Sequence, residues 1–98
     1  MVESNHVLHI PVDDRLEAII VYAERYALGR STYAVDDVCT FIDALIPNIE
    51  TRTLQVILRD ISSKISGEET FGMDMDRRKW FALEFEIRCE LKRRGLNV

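Results

Sequence analysis

Leu54, Ile57, Leu58, Ile61 and Ile65 recur at three- and four-residue spacing, with Arg52, Arg59, Asp60 and Lys64 off that line. A helix gathers such a set onto one face, whereas a strand, with its period of two, scatters it over both. The pattern predicts a helix over about Glu50 to Ile65. Three further stripes of the same kind follow the chain. Leu16, Ile19, Ile20, Ala23, Tyr26 and Ala27 predict a helix from Asp13 or Asp14 to Leu28. Val38, Phe41, Ile42 and Leu45 predict one from Asp36 to Ile46, and Trp80, Leu83, Ile87 and Leu91 one from Asp76 to Arg94.

The residues between the stripes are those that stop helices. Gly29, Gly67 and Gly95 follow the last apolar position of their segments, where a residue without Cβ enters the left-handed region cheaply. Pro47 biases Ile46 away from helical geometry. Asp13 or Asp14 supplies an N-cap oxygen, Asp36 and Asp37 fall in a first turn, and Asn48 is placed to cap the third helix. Lys92, Arg93 and Arg94 lie at the negative end of the last helix dipole. Residues 66–75 read as a loop that Phe71, Met73 and Met75 pin to the body. The expectation is an all-α, small four-helix bundle at residues 13–98, preceded by a short extended segment at 1–12. Short connections favour antiparallel neighbours.

At 98 residues the chain holds one core. No apolar run approaches the ~18 residues of a membrane span, so no membrane is expected. The first six residues have no basic-then-apolar leader pattern, so no signal peptide is expected. Cys39 and Cys89, far apart and each within an apolar pattern, read as buried free thiols. Net charge is −4, which disfavours non-specific nucleic-acid binding. The charge is unevenly spread: residues 1–50 carry nine acids against three arginines, and residues 51–98 ten bases against eight acids.

Catalytic patterns are missing from the sequence. Both histidines, His6 and His9, lie in the N-terminal segment, away from any Ser/His/Asp or Cys/His arrangement, and H-x-x-H alone lacks a third metal ligand. Glu68, Glu69, Asp74 and Asp76 do not follow the calcium-loop spacing. No glycine-rich phosphate loop occurs. No enzyme activity, cofactor or metal is expected. A helix-turn-helix across Pro47-Asn48-Ile49 is the nucleic-acid alternative, with Arg52, Thr53 and Gln55 at the reading end.

Two stretches qualify as binding surfaces. In the first, Arg25, Tyr26, Arg30, Ser31, Thr32 and Tyr33 crowd one turn around Gly29, where forked guanidiniums and free backbone N–H groups suit an anion. The structural alternative is a capped turn whose arginines pair with Glu24, Asp36 or Asp37. In the second, Phe81, Phe85 and Cys89 draw another apolar stripe on the last helix, away from its core stripe. Either other helices wrap that stripe, or it meets a partner, with homodimerisation a separate expectation. Glu84, Glu86 and Glu90 alternate with Arg88 and Lys92 as an ion-paired exposed face does; Glu84 lies closest to the core stripe.

Arg25-Tyr26-Ala27-Leu28-Gly29-Arg30-Ser31-Thr32-Tyr33, followed by Ile57-Leu58-Arg59-Asp60-Ile61, an acidic loop and Trp80, resembles a group of uncharacterised small helical proteins of phages and prophages. The likeness covers roughly residues 20–90. It implies an accessory protein of a mobile element acting in a bacterial cytoplasm; with no catalytic pattern, the expected role is non-enzymatic binding of a host or phage protein, as by a host-takeover or counter-defence inhibitor. It also suggests that Arg59 and Asp60 support the turn, meeting Arg25 or Arg30 in one polar cluster.

Overall fold

The computed structural model describes residues 11–28, 32–66 and 74–98, the side chains of residues 32–33, 66 and 74–77 excepted. The expected extended segment around Val7–Ile10 and the loop residues Phe71 and Met73 lie outside the described residues, as does the Met75 side chain. The described residues form helices α1 (Asp14–Leu28), α2 (Thr32–Leu45), α3 (Thr51–Ser66) and α4 (Asp74–Arg93), with a 3-10 turn at Ile46–Asn48. The expected small four-helix bundle is the fold. Helices α1 and α4 each pack on α2 and α3, so α1 and α4 occupy opposite corners.

Helix α3 buries Leu54, Ile57, Leu58 and Ile61 as its periodicity requires. They join Ile20 and Ala27 of α1, Val35, Cys39, Ile42 and Leu45 of α2, and Trp80, Leu83, Ile87 and Leu91 of α4 in one core. Helix α2 starts four residues before Asp36, at Thr32, so Asp36 and Asp37 lie beyond its first turn. The reason is Val35, which extends the buried stripe by a turn; burial outweighs the modest helix propensity of Thr-Tyr-Ala-Val.

Helix α1 is rotated relative to its expected stripe. Its buried face is Glu17, Ile20, Glu24 and Ala27. Ile19, Tyr22 and Tyr26 are exposed instead. Two glutamates thus take places that hydropathy assigns to apolar residues, and each has a tertiary reason given below.

The helix ends are built from identifiable bonds. Asp13 Oδ1 accepts from the Leu16 N–H at 3.0 Å, as an N-cap aspartate should. Asn48 sits in the 3-10 turn, three residues before α3, so it is not that helix's N-cap. The start of α3 is held from outside: the Glu50 N–H donates to Glu17 Oε2 at 3.0 Å. A carboxylate there faces the positive end of the α3 dipole. At the other end of the chain, Gly95 adopts φ +95°. Its N–H reaches the Lys92 carbonyl at 2.9 Å, and the Leu96 N–H reaches Leu91 at 2.9 Å. This pair of bonds is a Schellman motif, and Leu96 packs onto the core as its hydrophobic contact.

Glu90 corrects the expectation of an exposed ion-paired face on α4. It is only 8% exposed and is held by both Arg93 and Arg94. Arg94 Nε donates to Glu90 Oε2 at 2.7 Å. Its other nitrogens reach Thr51 Oγ1 at 3.0 Å and the carbonyls of Ile46 and Pro47 at 3.2 and 3.3 Å. One guanidinium therefore ties the end of α4 to the 3-10 turn and the start of α3. Burial alone would raise the Glu90 pKa, but hydrogen bonds and charge from Arg93 and Arg94 outweigh it and leave it lowered.

Candidate functional site

Helices α1 and α3 bring the two motif segments together. Arg25 Nε donates to Asp60 Oδ2 at 2.8 Å, across 35 residues of sequence. The polar cluster expected between the arginine turn and Arg59-Asp60 therefore exists with Arg25 and Asp60 as members, while Arg59 stays exposed. The pairings expected for Arg25 with Glu24, Asp36 or Asp37 are not made among the described residues; Asp36 instead accepts Lys79 of α4 at 2.7 Å. Gly29, Arg30 and Ser31 lie outside the described residues, and so do the side chains of Thr32 and Tyr33. Tyr26 lies on the exposed side of α1.

Beside the Arg25–Asp60 pair lies Glu24, which is fully buried. Neither of its carboxylate oxygens has a hydrogen-bond partner among the described residues. Burial first, and then the neighbouring Asp60 carboxyl, push its pKa up to about 9, against a smaller lowering by the charge of Arg25. Sequence reading assigned Glu24 no more than a pairing with a turn arginine. The only signal available was its position, seven residues after Glu17 and four after Ile20, on the line that the structure buries.

Helix α4 carries the second candidate surface. Phe81 is 45% exposed and Phe85 64%, and neither is wrapped by the other helices. Cys89, expected to be buried, is an exposed free thiol one turn further on, whereas Cys39 is buried as expected. These positions lie opposite the buried Trp80–Leu83–Ile87–Leu91 stripe, so α4 is apolar on two sides. Arg78 and Lys92 are exposed at the two ends of this face. The flank of α4 that meets α3 is polar and closed: Glu84 accepts Ser62 Oγ at 2.7 Å and Arg88 at 3.0 Å.

On its other flank α4 borders α2 along two adjoining depressions, about 190 and 350 Å³ in volume, that share Asp43 and Glu86. Cys39 and Leu83 line the first, Ile46, Pro47 and Cys89 the second. Their cations are already paired, Lys79 with Asp36 outside the first depression and Arg93 with Glu90 within the second. Among the described residues no group of three or more His, Cys, Asp or Glu is placed to hold a metal ion. Among the described residues no helix is long and apolar enough to cross a membrane. Compared with known proteins, the chain matches no family model, no curated protein and no solved structure.

Proposed function

We propose that this chain is a non-enzymatic accessory protein that binds a protein partner on the outer face of α4. The observation carrying the reading is the exposure of Phe81 and Phe85, with Cys89, in one line on a helix whose opposite side is already buried. Large aromatics at the centre of a patch supply most of the binding energy at protein interfaces. Arg25 is engaged by Asp60, which gives that arginine a structural task and favours the α4 face over it. The resemblance to small phage and prophage proteins adds the setting: a mobile-element protein acting on a host or phage protein, as a host-takeover or counter-defence inhibitor does.

A symmetric homodimer through the same stripe is the second reading, supported by the self-complementary apolar line but opposed by the like charges of Arg78 and Lys92. Light scattering at high concentration separates the two, since a monomer mass removes the dimer. Nucleic-acid binding through a helix-turn-helix has less support, because α2 and α3 sit at opposite corners of the bundle, not as a packed motif. The test is affinity capture from a bacterial lysate with the wild type and a Phe81→Ser/Phe85→Ser variant. A protein retained by the first and lost by the second, with unchanged circular dichroism, supports the reading. Equal capture by both sinks it.

A further inference from the structure

We infer that the partner covering the outer face of α4 is an amphipathic helix with an apolar centre and an acidic residue toward each end. This rests on the reading of that face as the binding surface and adds the chemistry of its occupant. Arg78, Phe81, Phe85, Cys89 and Lys92 follow one another at spacings of three, four, four and three residues. At about 100° per residue that spacing puts all five on one side of the helix, and all five are exposed. The line is about 21 Å long at ~1.5 Å per residue, cationic at both ends and apolar between. Three- and four-residue steps are those by which one helix seats against another.

The two terminal cations are not spent inside the molecule. Among the described residues the Arg78 and Lys92 side chains make no ion pair or hydrogen bond, whereas Lys79, Arg88, Arg93 and Arg94 are each paired with a carboxylate. No described carboxylate lies on the line. Glu84 is turned to Ser62 of α3, and Glu86 borders the groove against α2. An acid at each end of a docked helix would therefore meet a cation that has no competing partner.

A second copy of the chain does not have that chemistry. The spacing is symmetric about Phe85, so an antiparallel pair sets Arg78 of each molecule against Lys92 of the other. A parallel pair sets each cation against its own kind. Like charges oppose the contact either way. An anionic lipid surface would meet the same cations, but also Asp43 and Glu86 beside the line, which have no partner among the described residues, on a chain of net charge −4. A single helix laid along the line avoids both acids.

The test is a selection on the intact protein from a displayed library of helical peptides, with an apolar i, i+3, i+7 centre and randomised flanks. Peptides that bind the wild type but not Phe81→Ser/Phe85→Ser should carry Asp or Glu on both flanks, about four turns apart. By fluorescence anisotropy at low salt, Arg78→Glu/Lys92→Glu should bind them roughly tenfold more weakly. Changing the flanking acids of the peptide to Lys should recover the loss on that variant. Both charge positions are exposed, and circular dichroism checks that each variant is folded. Face-dependent peptides with no acidic bias, or with equal affinity for wild-type and charge-reversed protein, overturn the acidic helix and leave the α4 face standing. If no selected peptide depends on Phe81 and Phe85, both readings go. Co-sedimentation with phosphatidylserine vesicles that Phe81→Ser/Phe85→Ser abolishes, or a dimer mass that it abolishes, assigns the face to a membrane or a second copy and likewise overturns the inference.

Discussion

Replacing Arg94 with alanine should destabilise the bundle far more than a surface arginine normally does. The side chain is 18% exposed and joins Glu90, four residues back on α4, to two places distant in sequence: Thr51 at the start of α3, and the Ile46 and Pro47 carbonyls of the 3-10 turn. The largest single loss is the charged bond to Glu90, in the range of about 1.5–3 kcal/mol for hydrogen bonds involving ionised groups. Glu90 keeps Arg93, so the full ~3–5 kcal/mol of an orphaned buried charge is not reached through that residue alone. Pro47 is exposed and its carbonyl can take water, but Ile46 is buried and Thr51 half-buried, which adds on the order of 1 kcal/mol. The total is about 3 kcal/mol, and for a domain of this size that lowers the melting temperature by ~12–24 °C. Circular dichroism follows the helices, and the single tryptophan, Trp80, reports the core independently by fluorescence. Arg94→Lys should fall between, since an ammonium keeps the charge and loses the fork. A loss below about 1 kcal/mol for Arg94→Ala, or one no larger than that of Arg93→Ala, would refute the reasoning.

Other outcomes follow from the same structure. Glu17→Ala removes the carboxylate that receives the Glu50 N–H and should cost about 0.5–2 kcal/mol in denaturant unfolding, with amide exchange at the start of α3 accelerated. Ile57→Ala opens a cavity in the fully buried centre of α3 and should cost about 2–5 kcal/mol by the same assay. Gly95→Ala meets no neighbour within 4 Å, so its cost, about 1 kcal/mol in thermal melts, comes from the left-handed φ of +95° alone. Glu90 has a lowered pKa, so its stabilisation is complete above the ordinary carboxylate value and disappears as pH falls through the folded one. An acid titration of Glu90→Gln should accordingly show a shallower loss than the wild type.

The parts of the fold that were readable from the residues are those where hydropathy and position agree. Leu54, Ile57, Leu58 and Ile61 on α3 form such a case, as do Asp13 as a cap and Gly95 as a stop. Helix α1 departs from its expected stripe by a rotation because Glu17 and Glu24 are inside, one capping a distant helix and the other beside Asp60 of α3. Neither reason is local, so no periodicity in residues 14–28 could announce it. The Arg25–Asp60 contact was foreseeable only as a meeting of two motif segments. The Arg94 clamp was not foreseeable at all, since half of what it holds is backbone carbonyl, which carries no side-chain signature. The exposed stripe of α4 was visible as an apolar surplus, but whether another helix covers Phe81 and Phe85 depends on which helices share a corner.

The corner arrangement has a consequence for how the molecule can be used. Because α1 and α4 stand diagonally across a body 28–29 Å thick, Ile19 and Tyr22 look out from one side and Phe81 and Phe85 from the other. Two molecules seated on these sides would not collide, and neither would shadow the other's approach. A bundle built this way has room for two simultaneous guests and the span to hold them about one domain's width apart.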